Sequence, residues 1–476
     1  MGNTFNKKNT FFWIASIGVF LLLILPSLIQ KGMFMDGVLY ASVAQNFADG
    51  FSTFWFPKFA EAAHKSFHEQ PPLMFGLLGY FYKIFGNSIY VERLYSFVMA
   101  ALTAFVISKT WKLIYKESDI KKIAWLPILL WIIIPVCFWS YINNMEENTM
   151  GLFALSSVYF IVRAIILNQK VFLNLMIAGI FIFLSSLTKG IQGSFPLIVV
   201  FLYFVTHKSF SFKKTVFYSS VLILVPIIIY LLLIFFNEDA FISLKTYLTN
   251  RVLNSIENVS TDYGRFYLIR KLLQELIPVF AFTALIYIIM RIKRIEARFS
   301  GKDRADVIWF ILIGLSASLP LMITLEQRGF YLVTSLPYFA LSFSIVNAKG
   351  ISSLIEQISE NSIGFRIFKY VSILILVLAI VLTTFNYGKT KRHEAILNDI
   401  YKIGSVLPAG EIISSNSKLY NEWALHCNLQ RLYHLSLDGD KKKTNSYFLK
   451  EKNDTTKLTD YKLIPIDLEL YSLYKK

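Results

Sequence analysis

The sequence contains few cysteines and few charged residues. Its two cysteines, Cys137 and Cys427, provide neither a disulfide framework nor the repeated spacing of a metal site. Charged residues make up 17% of the 476 residues, hydrophobic residues 55%, and the mean hydropathy is +0.52. A water-soluble core cannot bury this much apolar surface. The composition therefore excludes a soluble globular protein and predicts an α-helical polytopic membrane protein.

Other signals are missing as well. The first apolar run, 11–29, follows Lys7 and Lys8, but no small-residue cleavage site comes after it, so we expect a retained membrane span. No internal repeat with a period of about 20 to 50 residues is evident. The net charge is +17, yet the basic residues fall in short runs between apolar windows, where membrane orientation explains them. Nucleic acid is therefore not an expected partner.

The apolar windows predict about eleven spans, and several of them approach the roughly 20 residues that cross the hydrocarbon layer. A shorter apolar stretch, 72–85, begins with proline and predicts a juxtamembrane helix in the first outer loop. With this stretch outside the membrane, the three densest basic loops and the N-terminus are cytoplasmic. The eleven windows are 11–29, 90–111, 123–142, 149–168, 171–187, 193–206, 215–236, 273–290, 305–324, 329–347 and 369–387.

The composition changes after residue 387. Charged residues become frequent, and turn signals occur at Pro408-Ala409-Gly410 and Asp438-Gly439-Asp440. Short apolar segments alternate with helix-like segments, which predicts a small α/β domain. We therefore expect a transmembrane domain over 1–387 and an external α/β domain over 388–476, in a protein of the cell (inner) membrane.

Polar residues in the predicted outer loops suit group transfer from a lipid phosphate. Asp36 lies directly beyond the first span, and a carboxylate at the rim of a membrane is costly to dehydrate and is read as functional. It is placed to accept the proton of an attacking hydroxyl. Glu147, with Glu146 beside it, is the second acid, and Lys189 is a cation for the charge that develops on a leaving phosphate.

The same residues also resemble a known family. Motifs occur in the order seen in GT-C glycosyltransferases of the protein O-mannosyltransferase and aminoarabinose transferase (ArnT-like) group, over about residues 11–350. They are Asp36-(x)3-Tyr40-Ala41, Gln70-Pro71-Pro72-Leu73, Phe85-Gly86-Asn87-Ser88 with Arg93-Leu94, Glu147-(x)5-Phe153, Leu187-Thr188-Lys189-Gly190 and Arg328-(x)2-Tyr331-(x)5-Pro337.

The resemblance implies a GT-C-like membrane protein with an external active site, a polyprenyl-phosphate-linked sugar donor and Asp36 as the base. On this reading Asp36 and Glu147 are catalytic, and the candidate substrate-binding residues are Lys189, Tyr40, Glu69, Gln70, Arg328, Tyr331 and Arg251. The acceptor is a hydroxyl or phosphate of a lipid such as lipid A, a glycan or a protein.

Two positions depart from the family pattern. Gly37 follows the first acid where such proteins usually have Asp-Glu, and Gln70 precedes Pro-Pro where they commonly have lysine. The missing lysine removes one partner for a phosphate or a metal. The sequence therefore leaves a donor other than aminoarabinose open.

Each candidate also has a purely structural interpretation. Asp36 and Glu147 are suited to cap helices, since an acid at a helix start is favourable by about 0.3–1 kcal/mol. Lys189 is suited to snorkel towards water, and Arg251, Arg265 and Arg270 to contact lipid headgroups.

The first outer loop also holds weak metal candidates. His64, His68 and Glu69 have a spacing compatible with a metal on one helical face, although ordinary histidines of an interfacial helix are the simpler interpretation. The sequence therefore neither requires nor excludes a divalent metal cofactor. At the level of function, the alternatives are a transporter or lipid flippase, or a polysaccharide ligase that uses the same lipid carriers.

Overall fold

The computed structural model describes residues 2–208, 210–253, 264, 266–296, 299–323, 327–439, 445–456 and 458–476. Arg265 and Asp440, which the sequence analysis named, lie outside these residues. The α-helices in the described part are α1 Gly2–Leu28, α2 Met35–Ala48, α3 Leu73–Phe85, α4 Ile89–Ile114, α5 Trp125–Ile132, α6 Pro135–Ile142, α7 Glu146–Leu167, α8 Val171–Lys189, α9 Val199–Thr206, α10 Phe212–Phe236, α11 Glu238–Tyr247, α12 Tyr267–Glu275, α13 Ile277–Ile292, α14 Gly301–Ser318, α15 Leu336–Gln357, α16 Ile363–Asn386, α17 Glu394–Gly404, α18 Ser417–Tyr420 and α19 Trp423–Tyr433.

Local sequence signals explain where several of these helices start and stop. Ser300 begins α14 with a capping box, in which its side chain and that of Asp303 satisfy each other's backbone N–H groups. Asn237 begins α11, since its side chain accepts the N–H of Ala240. Pro135 separates α5 from α6, and the chain bends by 79° there because proline cannot continue a helix.

The predicted polytopic helical fold is confirmed, whereas the number of spans is not. Among the described residues, eight helices are long and apolar enough to cross a membrane, or up to ten if each bent pair is one span. The predicted windows all fall on these helices. The sequence divides 171–206 into two windows, where the structure has one apolar stretch of α8, a 3-10 helix Gly190–Ile198 and α9.

The chain forms two compact units. Unit 1 comprises Met1–Leu28, Ser96–Ile142 and Glu146–Asn386, and contains most of the long apolar helices. Some of these helices leave most of their apolar surface uncovered by the rest of the protein. Only 17% of the apolar window of α10 and 11% of that of α16 is buried. This exposure is what a lipid-facing helix requires.

Unit 2 comprises Ile29–Tyr95, Asn143–Met145 and Tyr387–Lys476, so it joins the first predicted outer loop to the C-terminal segment. The predicted juxtamembrane helix is present as α3, a 13-residue helix that starts after Pro72 and packs against α2. The predicted boundary between residues 387 and 388 stays a prediction.

The C-terminal part of unit 2 contains the predicted α/β fold. Its strands are β1 Ile412–Ser414, β2 Ser436–Asp438, β3 Tyr447–Glu451, β4 Lys462–Leu463 and β5 Tyr471–Lys475, in the sheet order β2-β1-β3-β5-β4. Strand β1 is parallel to β2 and β3, and β5 is antiparallel to β3 and β4. Buried aliphatic side chains such as Ile400, Leu429 and Leu473 form the core between helices and sheet.

Candidate functional site

Two fully buried glutamates begin helix α7. Glu146 and Glu147 occupy its first turn, and the exposed fraction of each is 0%. The partial positive charge at a helix N-terminus favours acids there. Capping alone does not require burial, however, and a buried carboxylate is costly unless a positive group pairs with it. The structure shows such a group in the neighbouring helix.

Lys189 is the last residue of α8 and pairs with both acids. Its Nζ lies 2.6 Å from Oε1 of Glu147 and 3.4 Å from Oε2 of Glu146. Only 4% of its side chain is exposed, so the lysine does not snorkel towards water. Helix α8 ends here because Gly190 has a φ of +68°, a conformation that glycine adopts most easily.

An aromatic ring lies beside the same ammonium group. Nζ of Lys189 is 5.2 Å from the ring centroid of Tyr331, which is within cation–π range. Tyr331 belongs to the 3-10 helix Gly329–Ser335, and its neighbour Phe330 stacks on Trp139 with the ring centroids 5.9 Å apart. The structure thus brings together Glu147, Lys189 and Tyr331, three of the residues that the sequence predicted.

This arrangement can bind an anionic ligand and a hydroxyl. A lysine held in place by two carboxylates is a cation of fixed position, as charge stabilisation at a leaving phosphate requires. Oε2 of Glu147 has no hydrogen-bond partner within the described part of the chain, which leaves it as an acceptor. An acceptor beside a fixed cation suits a sugar phosphate better than it suits an apolar ligand.

In unit 2, Asp36 lies in the first turn of α2 and is half-buried. The 143–145 segment lies against this turn: Phe34 donates its backbone N–H to Oδ1 of Asn143 at 2.9 Å. The C-terminal segment is near as well, since burial and then the charge of Asp36 raise the pKa of the Cys427 thiol. Two other segments of unit 2, 143–145 and the part of the chain around Cys427, therefore lie near the turn that carries Asp36.

Gly37 explains the absence of glutamate after Asp36. A Cβ at this position would overlap the backbone carbonyl oxygen of Asn143, and the sulfur of Met33 is also close. Position 37 has no room for a side chain unless the 143–145 segment moves. The departure from the Asp-Glu pattern thus has a steric cause in this chain.

The other candidates of the first loop lie in unit 2. Tyr40, one helical turn after Asp36, is 7% exposed and its ring packs near Phe75, with the centroids 5.9 Å apart. Glu69 and Gln70 are half-buried just before α3. Tyr40 lies on the same face of α2 as Asp36, whereas Glu69 and Gln70 belong to the segment that precedes α3.

The helical spacing assumed for the histidines is wrong. Residues 51–72 form turns and bends, and His64 has a φ of +44°, so His64 and His68 do not share a helical face. The ring of His68 is buried near Phe56, and burial lowers its pKa. Among the described residues, no group of three or more histidine, cysteine, aspartate and glutamate side chains is arranged to hold a metal ion.

The arginine candidates differ in position. Arg328 is exposed and directly precedes the 3-10 helix that contains Tyr331, whose N–H bonds to the Arg328 carbonyl at 3.1 Å. Arg251 is half-buried in the π-helix Leu248–Leu253, which follows α11. Arg270 is exposed on α12, and Arg265 lies outside the described residues. Arg328 and Arg251 therefore stay candidates for ligand contact.

Sequence reasoning missed two features. The first is Tyr247, which lies near Glu146 and Lys189, since both alter its pKa. The sequence signal that could have marked it is the helical spacing of Ala240, Ser243 and Tyr247, the three buried residues of α11. The second feature is a buried ion pair in unit 2, where Nη2 of Arg431 lies 3.0 Å from Oε2 of Glu92. No local pattern marks it, because its partners are more than 300 residues apart in the chain.

Residues 69–235 match the family model described as dolichyl-phosphate-mannose-protein mannosyltransferase. This segment includes Glu146, Glu147 and Lys189. No curated protein sequence matches the chain.

Solved structures match nearly the whole chain. ArnT from Cupriavidus metallidurans bound to undecaprenyl phosphate has a TM-score of 0.64 at 12% identity, covering 97% of both chains. Its apo state has a TM-score of 0.64 at 12% identity, covering 98% of this chain and 97% of that one. The Archaeoglobus fulgidus oligosaccharyltransferase in complex with zinc and sulfate has a TM-score of 0.53 at 15% identity, covering 93% of this chain and 68% of that one.

These matches confirm the resemblance drawn from the sequence motifs. The protein has the fold of ArnT, a GT-C glycosyltransferase, with a small C-terminal sheet domain. It is a multi-pass membrane protein.

Proposed function

We propose that this protein is a membrane glycosyltransferase that moves a sugar from a polyprenyl-phosphate carrier to an acceptor hydroxyl or phosphate at the outer face of the cell membrane. The buried pair of Lys189 with Glu147 and Glu146 carries the proposal, because it offers a fixed cation in a fold whose relative ArnT was solved with undecaprenyl phosphate. A lipid, a glycan or a protein is the acceptor.

The proposed reaction is a single displacement. The carboxylate of Asp36 accepts the proton of the acceptor group while the acceptor oxygen bonds to the anomeric carbon of the sugar. The bond from that carbon to the phosphate oxygen breaks, and polyprenyl phosphate leaves as an anion. A leaving group that is already ionised needs no proton, so no general acid is required.

Glu147 stays the second catalytic candidate, and the other candidates are assigned to binding. Lys189 stabilises the phosphate charge, and Tyr331 holds the ammonium group in position through its ring. Glu147 fixes Lys189 through one oxygen and accepts a sugar hydroxyl through the other. The remaining substrate-binding candidates are Tyr40, Glu69, Gln70, Arg328 and Arg251.

We also propose the membrane arrangement expected from the basic loops. The N-terminus is cytoplasmic, the transmembrane domain spans 1–387, and 388–476 forms an external domain. Protease accessibility of a tag at each terminus in sealed vesicles measures this orientation directly.

The test of the base is Asp36→Asn, which keeps the shape of the side chain and removes its ability to take a proton. We expect transfer from a polyprenyl-phosphate sugar in isolated membranes to fall by about 10²- to 10⁴-fold. The matched control is Asp49→Asn at the end of α2, which should transfer at the wild-type rate. Full transfer by Asp36→Asn would rule out Asp36 as the base.

A further inference from the structure

The end of helix α11 places a tyrosine next to the turn that carries Lys189. Tyr247 is the last residue of α11 and is 8% exposed. A Cβ added at Gly190 would overlap the phenolic oxygen of Tyr247, so this oxygen lies directly against Gly190. Since Gly190 follows Lys189, the Tyr247 hydroxyl and the Lys189 ammonium group belong to the same small region of unit 1.

The Tyr247 side chain keeps 8% of its surface exposed, and among the described residues its hydroxyl makes no hydrogen bond. Buried tyrosine hydroxyls usually find a hydrogen-bond partner, because a buried donor that lacks one is unfavourable. Tyr230 in helix α10 follows this rule, since its hydroxyl lies 2.9 Å from that of Ser186. The Tyr247 hydroxyl is thus a donor that a ligand can use.

The charges around Tyr247 indicate which kind of ligand this is. Burial and Glu146 raise the pKa of Tyr247, Lys189 and Arg251 lower it, and the result is about 12. The phenol therefore keeps its proton at neutral pH and donates rather than accepts. A donor close to two cations is suited to an anionic oxygen.

We propose that Tyr247 is a further substrate-binding residue, whose phenolic O–H donates a hydrogen bond to an oxygen of the lipid-borne phosphate that Lys189 binds. The inference rests on the proposed function, which supplies the phosphate. A hydrogen bond to a charged group of this kind changes affinity by about tenfold to a hundredfold. Packing of the ring against Gly190 is the competing explanation for the burial of Tyr247.

Tyr247→Phe separates the two explanations, because it removes the hydroxyl and keeps the ring. The full-length protein in detergent is titrated with undecaprenyl phosphate and, separately, with undecaprenol, and binding is measured by native mass spectrometry. We expect Tyr247→Phe to bind undecaprenyl phosphate about tenfold to a hundredfold more weakly and undecaprenol as the wild type does. Tyr230→Phe, the matched control, should bind both lipids like the wild type.

Three results would overturn the inference. Wild-type affinity of Tyr247→Phe for undecaprenyl phosphate would show that the hydroxyl does not contact the phosphate. An equal loss for both lipids would assign Tyr247 to packing. A wild-type protein that binds undecaprenol as tightly as undecaprenyl phosphate would contradict the proposed function itself, which separates that failure from a failure of Tyr247 alone.

Discussion

At the scale of single residues, Lys189 is the most constrained side chain of the candidate site. It is buried beside two carboxylates at the start of α7, and its ammonium group also lies near the aromatic ring of Tyr331. The attraction within a buried ion pair rarely exceeds the cost of dehydrating its charges by much, so such a pair contributes little net stability. Removal of one partner is costly, however, because the other charge stays buried. A function in ligand binding accounts for this arrangement better than stability does.

This asymmetry predicts different effects for the two partners. Lys189→Met leaves two buried carboxylates without their cation and should lower the free energy of unfolding by about 3–5 kcal/mol. Glu147→Gln leaves Lys189 paired with Glu146 at 3.4 Å and should cost less. Thermal unfolding of the purified variants in detergent measures both. Equal destabilisation by the two changes would contradict the pairing described here.

His426 predicts a pH dependence of stability. It is fully buried, its Nε2 accepts the N–H of Leu437 at 3.1 Å, and burial lowers its pKa to about 4. In the unfolded chain the imidazole of His426 has a pKa of about 6.5, so it binds a proton more tightly there than in the folded protein. Stability should therefore fall as pH drops from about 6.5 towards 4, with a contribution on the order of 3 kcal/mol at the acid end.

The measurement is thermal unfolding at a series of pH values between neutral and acid. His426→Gln should show a weaker loss of stability in acid than the wild type. His64→Gln removes a neighbouring charge that is the smaller of the two causes lowering the pKa of His426, after burial, so it should reduce the acid sensitivity much less than His426→Gln does. An unchanged acid sensitivity of His426→Gln would show that other groups are responsible.

At the scale of elements, the start of α2 and the 143–145 segment fit tightly together. Because a Cβ at position 37 would overlap the carbonyl oxygen of Asn143, Gly37→Ala should force the two segments apart and cost about 1–3 kcal/mol of stability. Transfer should fall too, since Asp36 directly precedes Gly37. Gly364→Ala in α16 is the control, because a Cβ there meets no atom within 4 Å.

A Gly37→Ala variant with wild-type thermal stability and transfer would mean that the first turn of α2 tolerates displacement. The proposed requirement for an accurate position of Asp36 would then be wrong. Both readouts are needed, because a loss of stability alone would not concern the chemistry.

The elements themselves were largely readable from the sequence. Apolar windows predicted the long helices, and Pro72 marked the start of α3. The same patterns failed where the local sequence has no periodic signal. His64 and His68 lie in an irregular segment, and the φ of +44° at His64 is not indicated by the composition of that segment. The bend of 79° before α6 was not predicted either, because hydropathy alone makes 123–142 a single span.

At the scale of the whole molecule, the grouping of segments was not predictable from the chain order. Unit 2 combines 29–95, 143–145 and 387–476, whereas the chain order predicts an outer loop over most of the first segment and a separate domain over 388–476. Long-range bonds explain the grouping: Arg431 bonds to Gln45 at 2.9 Å and to Asn87 at 3.1 Å, more than 340 residues away in sequence. A single sequence carries no signal for such pairs.

The candidate site shows the same limit. Asp36, Glu147 and Lys189 were candidates because acids and cations beside apolar windows are unusual and because their motifs resemble a family. Tyr247 was missed because an aromatic residue on a short polar helix is ordinary until the structure shows that its hydroxyl lies against Gly190. The charged candidates were thus predictable from the sequence, whereas the position of an uncharged hydroxyl required the structure.

The most direct test of the whole account is mass spectrometry of envelope lipids, glycans and proteins from cells with the wild-type protein, without it, and with Asp36→Asn. We predict one added sugar mass on a single class of acceptor that is present only with the wild-type protein. Transfer of a whole glycan would indicate a polysaccharide ligase instead. Spectra that do not change when the protein is removed would contradict the proposal that it is a glycosyltransferase.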